Sequence, residues 1–328
     1  MYQNFSEFLQ NKSKICVIQA ENPDGDSLGS SLALEALLED KEVSLYCPVN
    51  VPKYLRYFSG WERIDQNFDY HADGYIIVDT AATILLSKLL DDLVIRNILY
   101  TKPIFVIDHH ETTDDLDFPH QSIIAHLPSC TNLIYKIAID QNIKINQSAA
   151  ENIFQGLLSD TLGLTTAGVT ADTFRVAAHL TELGADINKL EENRKEYMKK
   201  SRRILDYKAD LIKRIEYSLD DKLSTIHIPW SDITEFSDEY NPNALILEEM
   251  KMVEGVEVAV AIKTYPDGKV TGKIRTSKPI ADKVAGYFGG GGHPFAAGFR
   301  TYDTTYDDVL RDLVFCCNDL LFKSQETN

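Results

Sequence analysis

The sequence predicts an α/β protein: an N-terminal, mostly parallel sheet with helices on both faces, followed by a smaller α+β domain. Three observations predict it. Short apolar runs of strand length alternate with helix-period segments through the first half, the pattern of a parallel sheet covered on both sides. A long charged stretch without Gly or Pro follows, at residues 187–214. Beyond it, pairs of strand-like runs flank compact turn signals.

The elements follow in order. Residues 14–20, 42–47, 75–78 and 104–107 read as strands, the last two each running into an Asp. Residues 27–38 read as a helix with Ser27 as its N-cap. Helical periodicity recurs over 131–140, 146–158 and 170–183. The 187–214 stretch reads as one long helix joining a domain at 1–186 to another at 215–328; a solvated helix of the first domain is the competing reading. In the second domain, Asp220-Asp221 and Pro266-Asp267-Gly268 mark hairpin turns, and helices are expected at 280–288 and 306–321 around a glycine run.

Composition narrows the function. The chain has 328 residues, 44% hydrophobic and 25% charged, enough for two packed domains. No apolar run reaches the roughly 18 residues of a membrane span, and the start lacks a signal-peptide pattern, so no membrane partner is expected. Five cysteines without metal-ligand spacing fit reduced thiols and a cytoplasmic location. The net charge of −17 argues against coating long nucleic acid, which needs Lys and Arg to neutralise phosphates. A small phosphate substrate stays compatible, because bound cations can offset the repulsion.

Ligands of open α/β sheets bind beyond the carboxyl ends of the strands. Four acidic or imidazole clusters are read at such ends: Asp24-Gly25-Asp26, Asp79, Asp108-His109-His110, and Asp160. One Asp after a strand is an ordinary cap. The four together form the mixed oxygen and nitrogen set that a pair of divalent cations needs for phosphate chemistry. In the second half, GGGGHPFAAG would be costly in a helix or strand, and suits backbone amides approaching an anion. His293 follows the glycines, and Arg275 and Ser277 end a preceding strand within reach of the same place.

NPDGDSLGS, IIVDTA, VIDHH and GLLSDTLG, in that order, followed by GGGGHPFAAG, resemble the DHH superfamily of phosphoesterases. The most similar group is the stand-alone oligoribonucleases, pAp phosphatases and cyclic-dinucleotide phosphodiesterases. The resemblance implies a catalytic domain, a smaller substrate-binding domain and two divalent metals, usually manganese. It implies that Asp79 bridges both metals, that Asp26, His109 and Asp160 complete one shell, and that Asp24 serves the other. It implies that His110 lines the phosphate site, that Arg275, Gly291, Gly292 and His293 hold the nucleotide, and that the chain is a homodimer. The expected activity is hydrolysis of pApA, pAp, a cyclic dinucleotide or very short RNA.

One position departs from the family. A His usually stands four residues before the first Asp of the DxD motif, as a ligand of the metal that Asp24 serves; here it is Ala20. The Asp24-side site is therefore expected to be weak or empty. The competing reading is a degenerate relative that binds nucleotide with little or no turnover. A long-substrate exonuclease and an inorganic pyrophosphatase fit less well, the first for the short acidic chain and the second for the glycine-rich loop.

Overall fold

A computed structural model describes residues 2–110 and 114–322. The chain divides into two compact units, Met1–Lys199 and Lys200–Asn328.

The first unit runs α1 (Gln3–Leu9), β1 (Lys14–Ile18), α2 (Gly25–Leu37), β2 (Glu42–Tyr46), β3 (Ile64–Asp65), β4 (Gly74–Val78), α3 (Ser87–Asp91), α4 (Leu93–Thr101), β5 (Ile104–Asp108), β6 (Gln121–Ile124), α5 (Cys130–Asp140), α6 (Gln147–Asp160), α7 (Ala171–Glu182) and α8 (Ile187–Tyr197). All six strands are parallel, in the order β3-β2-β1-β4-β5-β6. Alternate side chains feed two cores. Ile15, Val17, Ile76, Val78, Phe105 and Ile107 pack under α1, α2, α5 and α6. Cys16, Ile18, Tyr75, Ile77, Ile104 and Val106 pack against α3 and α4. That double burial is why these strands read as continuous apolar runs. The order reverses between β1 and β4, the place where open sheets of this kind leave a crevice for ligands.

Several local expectations change. Ser27 does not cap α2; Asp24 does, its Oδ1 accepting from the amides of Asp26 and Ser27 at 3.0 Å. Ser27 instead accepts from the Asp24 amide at 2.9 Å, closing a capping box. Asp160 is not at a strand end but is the last residue of α6. The stretch at 187–214 is two helices rather than one. Ser201 starts a new helix, α9 (Arg202–Lys213), by accepting from the Ile204 amide at 3.2 Å. Leu190 of α8 packs in the first unit, and Ile204, Tyr207 and Leu211 of α9 pack in the second.

The second unit continues from α9 with β7 (Glu216–Ser218), β8 (Leu223–Ile228), α10 (Trp230–Phe236), α11 (Pro242–Lys251), β9 (Val258–Thr264), β10 (Val270–Thr276), α12 (Ala281–Tyr287), β11 (Gly291–His293), β12 (Ala296–Thr301) and α13 (Tyr306–Phe322). Its sheet has the order β11-β12-β10-β9-β8-β7, antiparallel except for the β8–β9 pair. Both expected hairpins are present. Leu219, Asp220 and Asp221 all adopt positive φ in one turn, and Gly268 has φ 77° in the other. The glycine run is not an open loop throughout, because Gly291–His293 forms an edge strand against β12. A Cβ on Gly292 would stand 2.7 Å from the Ala297 Cα, so this glycine is needed for the close pairing itself.

Candidate active site

The crevice end of the first sheet gathers five of the acidic and imidazole groups named from sequence: Asp26, Asp79, His109, His110 and Asp160. Asp26 lies in the first turn of α2 and is almost fully buried. Its Oδ2 accepts from the Cys130 amide at 2.5 Å, and its Oδ1 from the Thr131 amide at 3.0 Å and the Thr131 hydroxyl at 2.7 Å. The start of α5 thus fixes the carboxylate. Gly156 of α6 permits the approach, since a Cβ there would lie 2.4 Å from Thr131 Cγ2.

Asp79 follows β4 in the left-handed region, with φ 64°. Asp and Asn tolerate that conformation better than most residues. Its amide donates to the Ile107 carbonyl at 2.8 Å, which holds it to the end of β5. Asp79 Oδ1 is buried and accepts no well-formed hydrogen bond among the described residues. The groups nearest to it are imidazole nitrogens.

His109 supplies the first of these. Its Nδ1 donates to the Leu127 carbonyl at 2.9 Å. Its Nε2 then stands 3.3 Å from Asp79 Oδ1 and 3.6 Å from both Asp26 Oδ2 and Asp160 Oδ2. A ring with one nitrogen bonded to a carbonyl offers the other as a lone pair, the usual arrangement of a metal-bound His. His110 is oriented by Asp108, whose Oδ1 takes Nδ1 at 2.7 Å, and that nitrogen lies 3.9 Å from Asp79 Oδ1. Two ligand groups result, Asp79 with His109 and His110, and Asp26 with His109 and Asp160, the ligand atoms of each within 4.8 Å of one another.

The electrostatics fit cations. Burial pushes Asp26 up to about 7, helped by the charges of Asp160 and Asp24, although His109 pulls it down. Burial and the charges of Asp26 and Asp24 push Asp79 well above the usual carboxylate range. Burial alone would lower His109, but the 3.3 Å approach of Asp79 Oδ1 and the charges of Asp26, Asp79 and Asp160 outweigh it and hold the imidazole up at about 10. So much desolvated negative charge is stable only when protons or metal ions neutralise it. The orphaned Asp79 oxygen and the inward-turned His109 nitrogen suit a metal.

Asp24 is less committed. It is exposed, its Oδ1 is occupied in capping α2, and it belongs to neither ligand group. Ala20 is buried at the end of the first strand's run. Of its neighbours, Glu21 is engaged elsewhere, its Oε2 accepting from the Ser87 hydroxyl and the Lys88 amide, and Gln19 is fully buried with both amide atoms unpartnered among the described residues.

The substrate-binding residues named from sequence lie in the second unit. Arg275 on β10 pairs with Ala296, which pairs in turn with His293 on β11, so the three share one row across the sheet. Arg275 Nη1 donates to the Ile274 carbonyl at 3.0 Å, and its Nε stands 3.7 Å from Glu248. Ser277 lies just past β10 and is exposed. Gly291 has no atom within 4 Å of where a Cβ would stand, while Gly292 is packed on β12. The side chain of His293 lies outside the described residues.

Sequence reasoning named Asp108 in a cluster without its role behind His110, and missed Leu127 behind His109 and Cys130 with Thr131 behind Asp26. Asp108 sits within the quoted VIDHH, and the other supports lie within residues 127–132, LPSCTN, but only the folded chain gives them partners.

The DHH family N-terminal domain model matches residues 14–169, and the DHHA1 domain model matches 234–317. The probable bifunctional oligoribonuclease and PAP phosphatase NrnA of Streptococcus mutans is 24% identical over 300 residues, 89% of this chain and 91% of that protein. The bifunctional oligoribonuclease and PAP phosphatase NrnA of Thermus thermophilus is 25% identical over 296 residues, covering 88% and 86%. A probable manganese-dependent inorganic pyrophosphatase of Streptococcus agalactiae is 28% identical over 194 residues, covering 57% and 60%. Among solved structures, an exopolyphosphatase-related protein from Bacteroides fragilis matches the fold with a TM-score of 0.85 at 20% identity, covering 98% and 97%.

Proposed function

The chain belongs to the DHH family of phosphoesterases and is a hydrolase; from that premise we propose that it cleaves phosphoester bonds in small nucleotides or short oligoribonucleotides with divalent metals. The observation that carries this reading is the convergence of His109 Nε2 with Asp79, Asp26 and Asp160 at 3.3, 3.6 and 3.6 Å. In it, Asp26, His109 and Asp160 would hold one cation, and Asp79 and Asp24 would serve a second. Such cations supply Lewis acidity toward phosphoryl oxygens and a hydroxide nucleophile at neutral pH. The names of the Streptococcus mutans and Thermus thermophilus relatives favour short RNA and pAp as substrates, and that of the Streptococcus agalactiae relative favours manganese.

The chain's own groups do the positioning. Thr131 and the Cys130 amide lock Asp26, and Leu127 locks His109. With Asp108 accepting from its Nδ1, His110 is held beside Asp79, where it lines the phosphate site. Arg275, Ser277, Gly291, Gly292 and His293 hold the nucleotide by charge and backbone amides. Cleavage of pApA on this scheme consumes one water and releases two molecules of AMP. The same reading includes a homodimer, which sedimentation velocity measures directly, and a cytoplasmic setting in which the five free, buried cysteines stay reduced.

A second reading rests on Ala20, whose methyl group cannot ligate: a nucleotide-binding relative with slow turnover. A panel of pApA, pAp, cyclic di-AMP and two-to-five-nucleotide RNA with manganese, magnesium or cobalt separates the two. Product formation supports hydrolysis, and tight binding without product supports the second reading.

A further inference from the structure

Beside the metal residues, the first unit holds a cavity of about 600 Å³, within the range of small-ligand sites. Asp24 and Ser159 form part of its wall, and Ser159 immediately precedes Asp160, so the cavity begins where the ligand carboxylates end. The rest of the wall is mainly aromatic and aliphatic, with Tyr54, Tyr57, Leu158 and Leu162 prominent. Its charged groups are two carboxylates, Asp24 and Glu191, against one guanidinium, Arg194, which Glu191 already engages through two bonds of 2.7 Å. Such a wall repels a further phosphate and suits an uncharged planar group.

One feature of the wall lacks a purely structural explanation. Gln155 is 5% exposed, and its Nε2 donates to no acceptor among the described residues, a costly state for a buried amide. Leu162 and Gly163, with φ of 49° and 74°, close α6 in a Schellman turn, their amides donating to the Ser159 and Leu158 carbonyls at 3.4 and 2.8 Å, and this turn leaves Leu162 73% exposed on the wall.

We propose that this cavity is a nucleobase pocket. It receives the base of the nucleoside attached to the scissile phosphate, with Tyr54 and Leu162 against its faces and the Gln155 amide on its polar edge. An amide offers a donor and an acceptor side by side, the pattern that a base edge complements. The inference deepens the proposed function and rests on it for the identity of the neighbouring phosphate.

Calorimetric titration of AMP and of ribose 5-phosphate into the full chain with manganese tests it, using wild type, Tyr54→Ala and Gln155→Leu. Wild type is expected to bind AMP at least about tenfold more tightly than ribose 5-phosphate, in line with base stacking on aromatic groups. Both variants are expected to lose most of that ratio. Gln155→Leu, which removes an unsatisfied amide, is expected to melt no lower than wild type. An AMP preference absent in wild type, or equally strong in both variants, overturns the pocket. Hydrolysis of pApA by the same wild-type protein decides the proposed function separately: turnover with an unaltered binding ratio in the variants removes the pocket and keeps the enzyme.

Discussion

Asp79 concentrates the conflict at the residue scale. Its carboxylate is buried against Asp26, in a backbone conformation that Asn also tolerates. Asp79→Asn therefore keeps the backbone and removes one desolvated charge. Hydrolysis is expected to fall below about 1% of wild type, in line with loss of a metal-bridging carboxylate. The metal-free variant is expected to melt above the metal-free wild type, and manganese to stabilise the variant much less. A variant that melts lower in EDTA would mean that Asp79 is held by contacts rather than by ions. Ala20→His is the converse change. If the Asp24-side site lacks an imidazole, the substitution is expected to raise activity at limiting manganese and to convert one tight and one weak site into two tight ones by calorimetry. Two equal sites in the unaltered protein would remove that account.

At the scale of elements, the start of α5 works as a clamp on α2. Thr131→Val preserves shape while deleting the 2.7 Å bond to Asp26. Manganese affinity is expected to drop by about 10- to 100-fold, the usual effect of losing a group that orients a ligand, with little change in circular dichroism. Gly156→Ala is expected to be worse for the fold, by about 1–3 kcal/mol, because the new methyl group overlaps Thr131 where α6 meets α5, and chemical denaturation measures it. This scale also shows what the sequence makes legible. β1, β4 and β5 are plain because they are apolar on both faces, and the motif residues at their ends identify the crevice. The short edge strands β3 and β6 carry too few apolar residues to stand out. Residues 87–101 are unassigned from sequence, yet carry α3 and α4, with Leu89, Ile95, Ile98 and Leu99 buried. The break between α8 and α9 rests on one serine cap inside a charged run, a signal without an apolar pattern behind it. The same limit applied to the site. His109 and Asp160 were recognisable as motif residues, but the Leu127 carbonyl that aims His109 carries no signature of its own.

For the whole molecule, charge bears on ligand size and on the pH response. The −17 balance favours small ligands over long strands, and no helix among the described residues is long and apolar enough to cross a membrane. In the metal-free protein, Asp26, Asp79 and His109 all bind protons more tightly when folded than when unfolded. A folded state that holds more protons loses stability as pH rises. Thermal stability in EDTA is therefore expected to fall between about pH 5 and pH 8, above the range where unfolded carboxylates titrate and through the unfolded value of His. Manganese, which displaces those protons, is expected to reverse the trend. A flat or rising melting curve in EDTA over that range would show that the cluster is not desolvated as described.

The most direct measurement is chromatography of pApA after incubation with the purified chain, with manganese or with EDTA, for wild type and Asp79→Asn. Wild type with manganese should yield two AMP per pApA, and the EDTA and Asp79→Asn reactions should leave the dinucleotide intact. Equal AMP in all three reactions, or none in any, would contradict the assignment of a metal-dependent phosphoesterase centre to these residues.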